Sequence, residues 1–171
     1  MKRLIFSAAL LVLCILTAQA QRFALIDMEF ILKHIPAYEE ANRQMETLSK
    51  QWQSEIDAKS NEAKALYEAY QQNAATLTDA QRTAKEEAVV AKEKEAAELR
   101  QKYFGPQGEM MKKQRELIGP IQDNIYNAVK DIALEEDYDA VIDRASAQSM
   151  IFASPRIDIS NEVLTRLGYS N

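Results

Sequence analysis

Sixty-eight consecutive residues, Ala37 to Phe104, contain neither glycine nor proline, and every glycine and proline of the chain lies outside that window. Backbone breakers punctuate ordinary domains every few elements, so their absence over such a span predicts uninterrupted helix. The window carries 13 acids and 10 bases, and its apolar residues are too thinly spread to build a globular core. A polar helix that cannot bury itself must lie against another helix. The expected product is a long protruding hairpin.

The apolar spacing supports that reading. Tyr38, Ala41, Met45, Leu48 and Trp52 recur at steps of three and four, a heptad seam continued by Ile56, Ala63, Leu66, Tyr70 and Leu77. The four-residue step from Trp52 to Ile56 is a stutter that locally relaxes a left-handed supercoil. Glu39–Arg43, Glu46–Lys50 and Glu55–Lys59 place the acid four residues before the base, the favourable order on an exposed helix face. The seam residues Trp52, Leu66 and Tyr70 are therefore expected inside the hairpin.

A turn is expected between Asn73 and Thr78, because Thr78-Asp79-Ala80-Gln81 reads as a capping box that starts a new helix. The returning arm would lay the small stripe of Ala84, Ala88, Ala91, Leu99 and Tyr103 against the first. The rival is one continuous rod through residue 104, opposed only by this cap and the Asn-Ala-Ala-Thr junction.

Phe104-Gly105-Pro106-Gln107-Gly108 must break or kink the returning arm. Helical spacing resumes at Met110 and strengthens through Leu117, Ile121, Ile125, Ala128 and Ile132, with a second bend expected at Gly119-Pro120. Gly105, Pro106, Gly119 and Pro120 are the candidate hinge positions. Then the period changes. Phe23-Ala24-Leu25-Ile26, Tyr138 to Asp143 and Met150-Ile151-Phe152-Ala153 are short β-like runs. Asp27 can cap a brief helix to His34, and Ser160 can cap a last one closed by Gly168.

The N-terminal stretch reads as an address. Lys2 and Arg3 precede an apolar run from Leu4 to Leu16, and Ala18 and Ala20 occupy the small-residue positions of a signal-peptidase site. The run is too short for a membrane span. Cleavage there leaves 19 basic against 26 acidic residues, since two of the 21 bases are removed, and it also removes the single cysteine. The acidic balance argues against nucleic acid and weakens any attraction to an anionic membrane.

The organisation expected is α+β, mostly α. Residues 1–20 form a cleaved signal, 21–36 with 114–171 a small strand-rich body, and 37–113 a coiled-coil hairpin arm. About 80 residues make a marginal core with exposed strands, and association between chains would remedy both. Phe23, Leu25, Ile26, Ile121, Ile125, Val141, Ile142, Ile151 and Phe152 are the candidate residues for body core and association. Off the seam, Tyr67, Val89, Val90, Phe104 and Met111 are the candidate contacts for other chains, tyrosine and methionine suiting broad, low-specificity binding.

No catalytic constellation is visible. His34 is the only histidine and the mature chain has no cysteine, so multi-histidine and His-Cys metal sites are excluded. No nucleophile elbow or glycine-rich phosphate loop accompanies it. No catalytic residue, metal or cofactor is assigned, and Asp139 and Asp143 are expected to face water.

Over its whole mature length the chain resembles the Skp/OmpH family of periplasmic chaperones. The matching stretches are Ala24 to Leu32 with Ile35-Pro36, Pro120-Ile121-Gln122-Asp123, Tyr138 to Asp143, and Asp158 to Leu164. The resemblance implies a homotrimer with strand-rich bodies and three hairpin arms around a cavity. There, family members hold unfolded outer-membrane proteins without ATP. Family members are often basic along the arms, and this acidic chain departs from them, which weakens the case for binding lipopolysaccharide. The alternative expectation is a non-enzymatic coiled-coil adaptor or spacer of the envelope.

Overall fold

The computed structural model describes residues 21–147 and 149–169. The expected signal segment, with Ala18 and Ala20, lies outside them. Two compact units are present: the described residues up to His34 together with those from Asn124 onward, and the stretch from Ile35 to Asp123.

The second unit is helical. Pro36 opens α2 (Pro36–Asn73), where its fixed φ suits a first helical position and its missing N–H leaves no bond unmade. This helix runs 38 residues, roughly 57 Å at 1.5 Å per residue. A single 3-10 turn (Ala74–Thr76) follows, and then α3 (Asp79–Phe104). The Thr78 capping box is formed in full. Gln81 N–H donates to the Thr78 hydroxyl at 3.3 Å, and Gln81 Oε1 accepts from Thr78 N–H at 3.0 Å. The chain turns here instead of continuing as a rod. Contacts such as Tyr70–Glu86, Lys59–Glu95 and Tyr103–Glu55 pair later residues of α2 with earlier ones of α3, the signature of an antiparallel hairpin.

The seam differs from its expected phase on α3. Val89, Ala96 and Tyr103, at seven-residue spacing, are the buried residues there, while Ala84, Ala88 and Ala91 are exposed. Alanine favours the helix and is small enough for either face, so an alanine-rich helix is rotated by its few large side chains. Tyr103 decides the rotation. Its ring stacks on Trp52 with centroids 5.0 Å apart and planes 5° from parallel, and Ile56, Leu48, Leu99 and Met110 complete the cluster. On α2, Ala63 is buried, whereas Leu66, expected in the seam, is 40% exposed.

Gly105 ends α3, and α4 (Glu109–Glu135) starts after a short corner. A Cβ at Gly105 would lie 2.3 Å from the Gln101 carbonyl oxygen, and one at Gly108 2.7 Å from that of Tyr103. Both glycines are demanded by close backbone approach. At Gly119-Pro120, where a bend is expected, α4 continues through Pro120 without interruption. Proline normally clashes with the Cβ of the residue before it. Gly119 has none, so the costs that remain are the backbone bond Pro120 cannot donate and the crowding of its ring against the Glu116 carbonyl.

In the first unit, β1 (Phe23–Ile26) pairs in parallel with β2 (Ala140–Asp143), with Leu25 opposite Ile142. On its other edge β1 meets the chain again, as Ile159 N–H donates to the Leu25 carbonyl at 2.9 Å. Ala24, Leu25 and Ile26 are buried, as befits a strand flanked on both sides. The core adds Ile31 of α1 (Met28–Lys33), Ile125 and Ile132 of α4, and Val163 and Leu164 of α5 (Ser160–Arg166). Gly168, at φ 85°, ends α5 with its N–H on the Thr165 carbonyl.

Two expectations are corrected here. Met150 to Ala153 forms no strand, and Ile151 and Phe152 are 101% and 83% exposed, so neither belongs to the core of the single chain. Extended residues become a strand only through a ladder partner, and among the described residues this run has none. Ser160 is the first residue of α5 and not its cap. Its hydroxyl accepts from Asp27 N–H at 2.8 Å and donates to Asp158 at 2.6 Å.

Candidate interaction surfaces

The acidic side chains that might suggest chemistry in the first unit are committed to structure. Asp27 accepts from Phe30 N–H at 2.8 Å as the cap of α1. Its other oxygen takes the Arg144 guanidinium at 3.0 and 3.1 Å. Arg144 also reaches Asp158 at 3.2 Å. Asp143 accepts from Met28 N–H at 3.1 Å and Ala145 N–H at 3.0 Å, and Asp139 accepts from Arg22 N–H at 2.8 Å. Asp139 and Asp143 thus bracket β2 as tie points instead of facing water alone. The Phe30 N–H, followed by Arg144, holds the Asp27 carboxyl below its ordinary range. The His34 ring is bonded through Nδ1 to the Phe30 carbonyl at 2.8 Å and leans on the Phe30 ring. Each of these groups is thus tied to a neighbour within the unit.

Charge on the hairpin is mostly consumed internally. Lys59, Glu62, Lys92 and Glu95 form a square across α2 and α3, with N···O distances of 3.5, 3.4, 3.2 and 2.9 Å. Lys92 is the foremost cause that lowers both glutamates from their ordinary range. Tyr70 donates to Glu86 at 2.7 Å, and Tyr103 to Glu55, so two tyrosines also bridge the helices.

Of the residues expected to meet other chains, Tyr67, Val90, Phe104 and Met111 are exposed. Val89 is not: it is 8% exposed, inside the hairpin. The off-seam assignment of Val89 followed from the misplaced alanine stripe and is corrected with it. The Phe104 ring stands edge-on to Trp52 at 6.3 Å, which fixes its position while leaving part of it in solvent. The Tyr67 ring lies 6.5 Å from that of Tyr70, and its hydroxyl accepts from Gln71.

Among the association candidates, Leu25, Ile26 and Ile125 are buried, and Ile121 and Val141 are partly so. Phe23, Ile142, Ile151 and Phe152 are exposed. Sequence reasoning passed over Tyr126 and Leu134, both largely exposed on α4. Their signal was available, since each is out of phase with the Ile125-Ala128-Ile132 stripe.

Comparison with known proteins places this geometry. Residues 22–167 match the family model for outer membrane protein (OmpH-like). "Chaperone protein Skp" of Pectobacterium atrosepticum is 25% identical over 148 residues, covering 86% of each chain. The protein of the same name from Yersinia enterocolitica is 26% identical over 151 residues, covering 88% of each. The crystal structure of an OmpH-like protein from Caulobacter crescentus CB15 superimposes with a TM-score of 0.64 at 12% identity. It covers 86% of this chain and 83% of that one, and it shows the shared fold.

Proposed function

The chain belongs to the OmpH-like outer membrane protein family, and from that premise we propose that it is an ATP-independent holdase chaperone of the cell envelope. It is exported to the periplasm through a cleaved signal, carries out no catalysis and needs no cofactor. Its clients are unfolded outer-membrane or envelope proteins, which it keeps from aggregating in a cavity bounded by the hairpin arms of a homotrimer.

The observation that carries this reading is the family match over nearly the whole chain joined to a hairpin whose seam is satisfied internally. Tyr67, Val90, Phe104 and Met111 leave apolar surface in solvent outside that seam. Such contacts are individually weak. Several arms held in one assembly would add them through effective concentration, which gives retention without a tight site. Self-association would proceed through Ile151, Phe152, Ile142 and Phe23, whose exposure in the single chain is otherwise costly.

The test is dilution of a urea-unfolded outer-membrane β-barrel into buffer with or without the mature protein, in the absence of nucleotide. Suppressed turbidity at molar excess over client is expected. Unchanged turbidity with the protein demonstrably folded would overturn the reading and favour the spacer, which shares the hairpin but requires a folded partner.

A further inference from the structure

Nearly every charge on α2 and α3 is engaged by an ion pair, a hydrogen bond or a ring. Among the described residues of this hairpin the exceptions are Asp79, Lys85, Glu87, Glu93 and Arg100. Two of these, Glu93 and Arg100, line one groove between the helices, together with Lys64, Tyr67 and the buried Ala63 and Ala96. By helical rotation about Ala63 and Ala96, this groove lies on the flank opposite the Lys59–Glu62–Lys92–Glu95 square. One flank of the hairpin is therefore closed by ion pairs. The other is open, floored by two alanines and walled by a tyrosine.

The charges of the groove are ordered along it. Glu93 lies toward the Ala74–Thr76 turn, and Arg100 lies two turns further back. Seven residues of helix separate the two unpaired charges by about 10 Å. About three residues of extended chain span the same distance.

We propose that this groove is a binding site for an extended, unfolded polypeptide segment in which an acidic and a basic residue about three positions apart flank an aromatic one. The carboxylate meets Arg100, the cation meets Glu93, and the aromatic ring rests over Ala63 and Ala96 against the exposed Tyr67 ring. Small floor residues give the ring depth, and the ring supplies the apolar area that two exposed ion pairs cannot. The site is bipolar and not merely basic. It would favour protein segments over polyanions, in keeping with the acidic arm. The inference rests on the holdase reading and gives that reading its client chemistry.

The test uses the full mature protein and a fluorescent peptide carrying an Asp-Phe-Ala-Lys core, followed by anisotropy. A control peptide has Asn and Gln in place of the two charges. Arg100→Glu and Glu93→Lys should each weaken binding of the charged peptide about two- to fivefold and leave the neutral one unchanged. The double variant Glu93→Lys/Arg100→Glu should restore binding, because an extended peptide can lie in the groove in either direction. Both positions of change are at the surface, and retained helicity confirms the fold of all three variants. If wild type suppresses barrel aggregation but the single variants bind the charged peptide as it does, the groove inference is overturned while the holdase stands. If wild type fails to suppress aggregation, the holdase reading falls and takes the groove with it. A single variant that changes the mass of the protein alone would assign the groove to contact between copies, and would also overturn the proposal.

Discussion

Trp52 shows how much one side chain can decide. It is the only tryptophan, its indole is stacked on Tyr103, and Phe104 stands against its edge. Trp52→Ala should cost about 3–5 kcal/mol, as expected for a large aromatic removed from a packed cluster, and a urea titration followed by circular dichroism would measure it. Gly105→Ala tests a different idea. The candidate hinge includes Gly105, but its Cβ would strike the Gln101 carbonyl. Alanine there should destabilise the corner by more than about 1 kcal/mol instead of stiffening an otherwise intact arm. A rise in the urea midpoint would contradict this. Some single residues could be read in advance. Asp27 caps α1 and Thr78 caps α3 because capping depends on neighbours three residues away. Val89 could not, because its burial depends on which face of an alanine-rich helix Tyr103 turns inward.

At the scale of elements, the hairpin was legible and its exact rotation was not. A window free of glycine and proline, a heptad seam on α2 and a capping box sufficed for two helices and a turn. Thr78→Ala should cost about 1 kcal/mol, visible as a lower melting temperature. The ion-pair square adds a pH dependence of known sign. Glu62 and Glu95 are lowered from 4.5, so their contribution to stability is complete above that value and is lost as pH falls below it. Asp27, lowered from 3.8, acts in the same direction at slightly lower pH. Thermal melts should therefore shift down from pH 6 to pH 3, and raising salt at pH 6 should produce part of the same shift through screening. A melting temperature unchanged at both would show the square to be without weight. The Met150–Ala153 run was misjudged as an element because β propensity reports a fit to a pleated surface, and the surface has to come from somewhere else.

The whole molecule returns to what that run lacks. Ile151 and Phe152 stand in water in the single chain, and the proposed remedy is a second copy of the same chain. Ile151→Asp with Phe152→Asp should convert an assembly into monomers with their helicity intact, because neither side chain is packed in its own subunit. The same substitutions should weaken client retention if arms act together and leave it unchanged if each acts alone. One measurement bears on the central claim most directly. It is the light-scattering mass of residues 21–171 after size exclusion, taken with and without a urea-diluted outer-membrane β-barrel. The account predicts a trimer that co-elutes with its client in the absence of nucleotide. A folded protein that passes the client by, leaving it to aggregate, would contradict it.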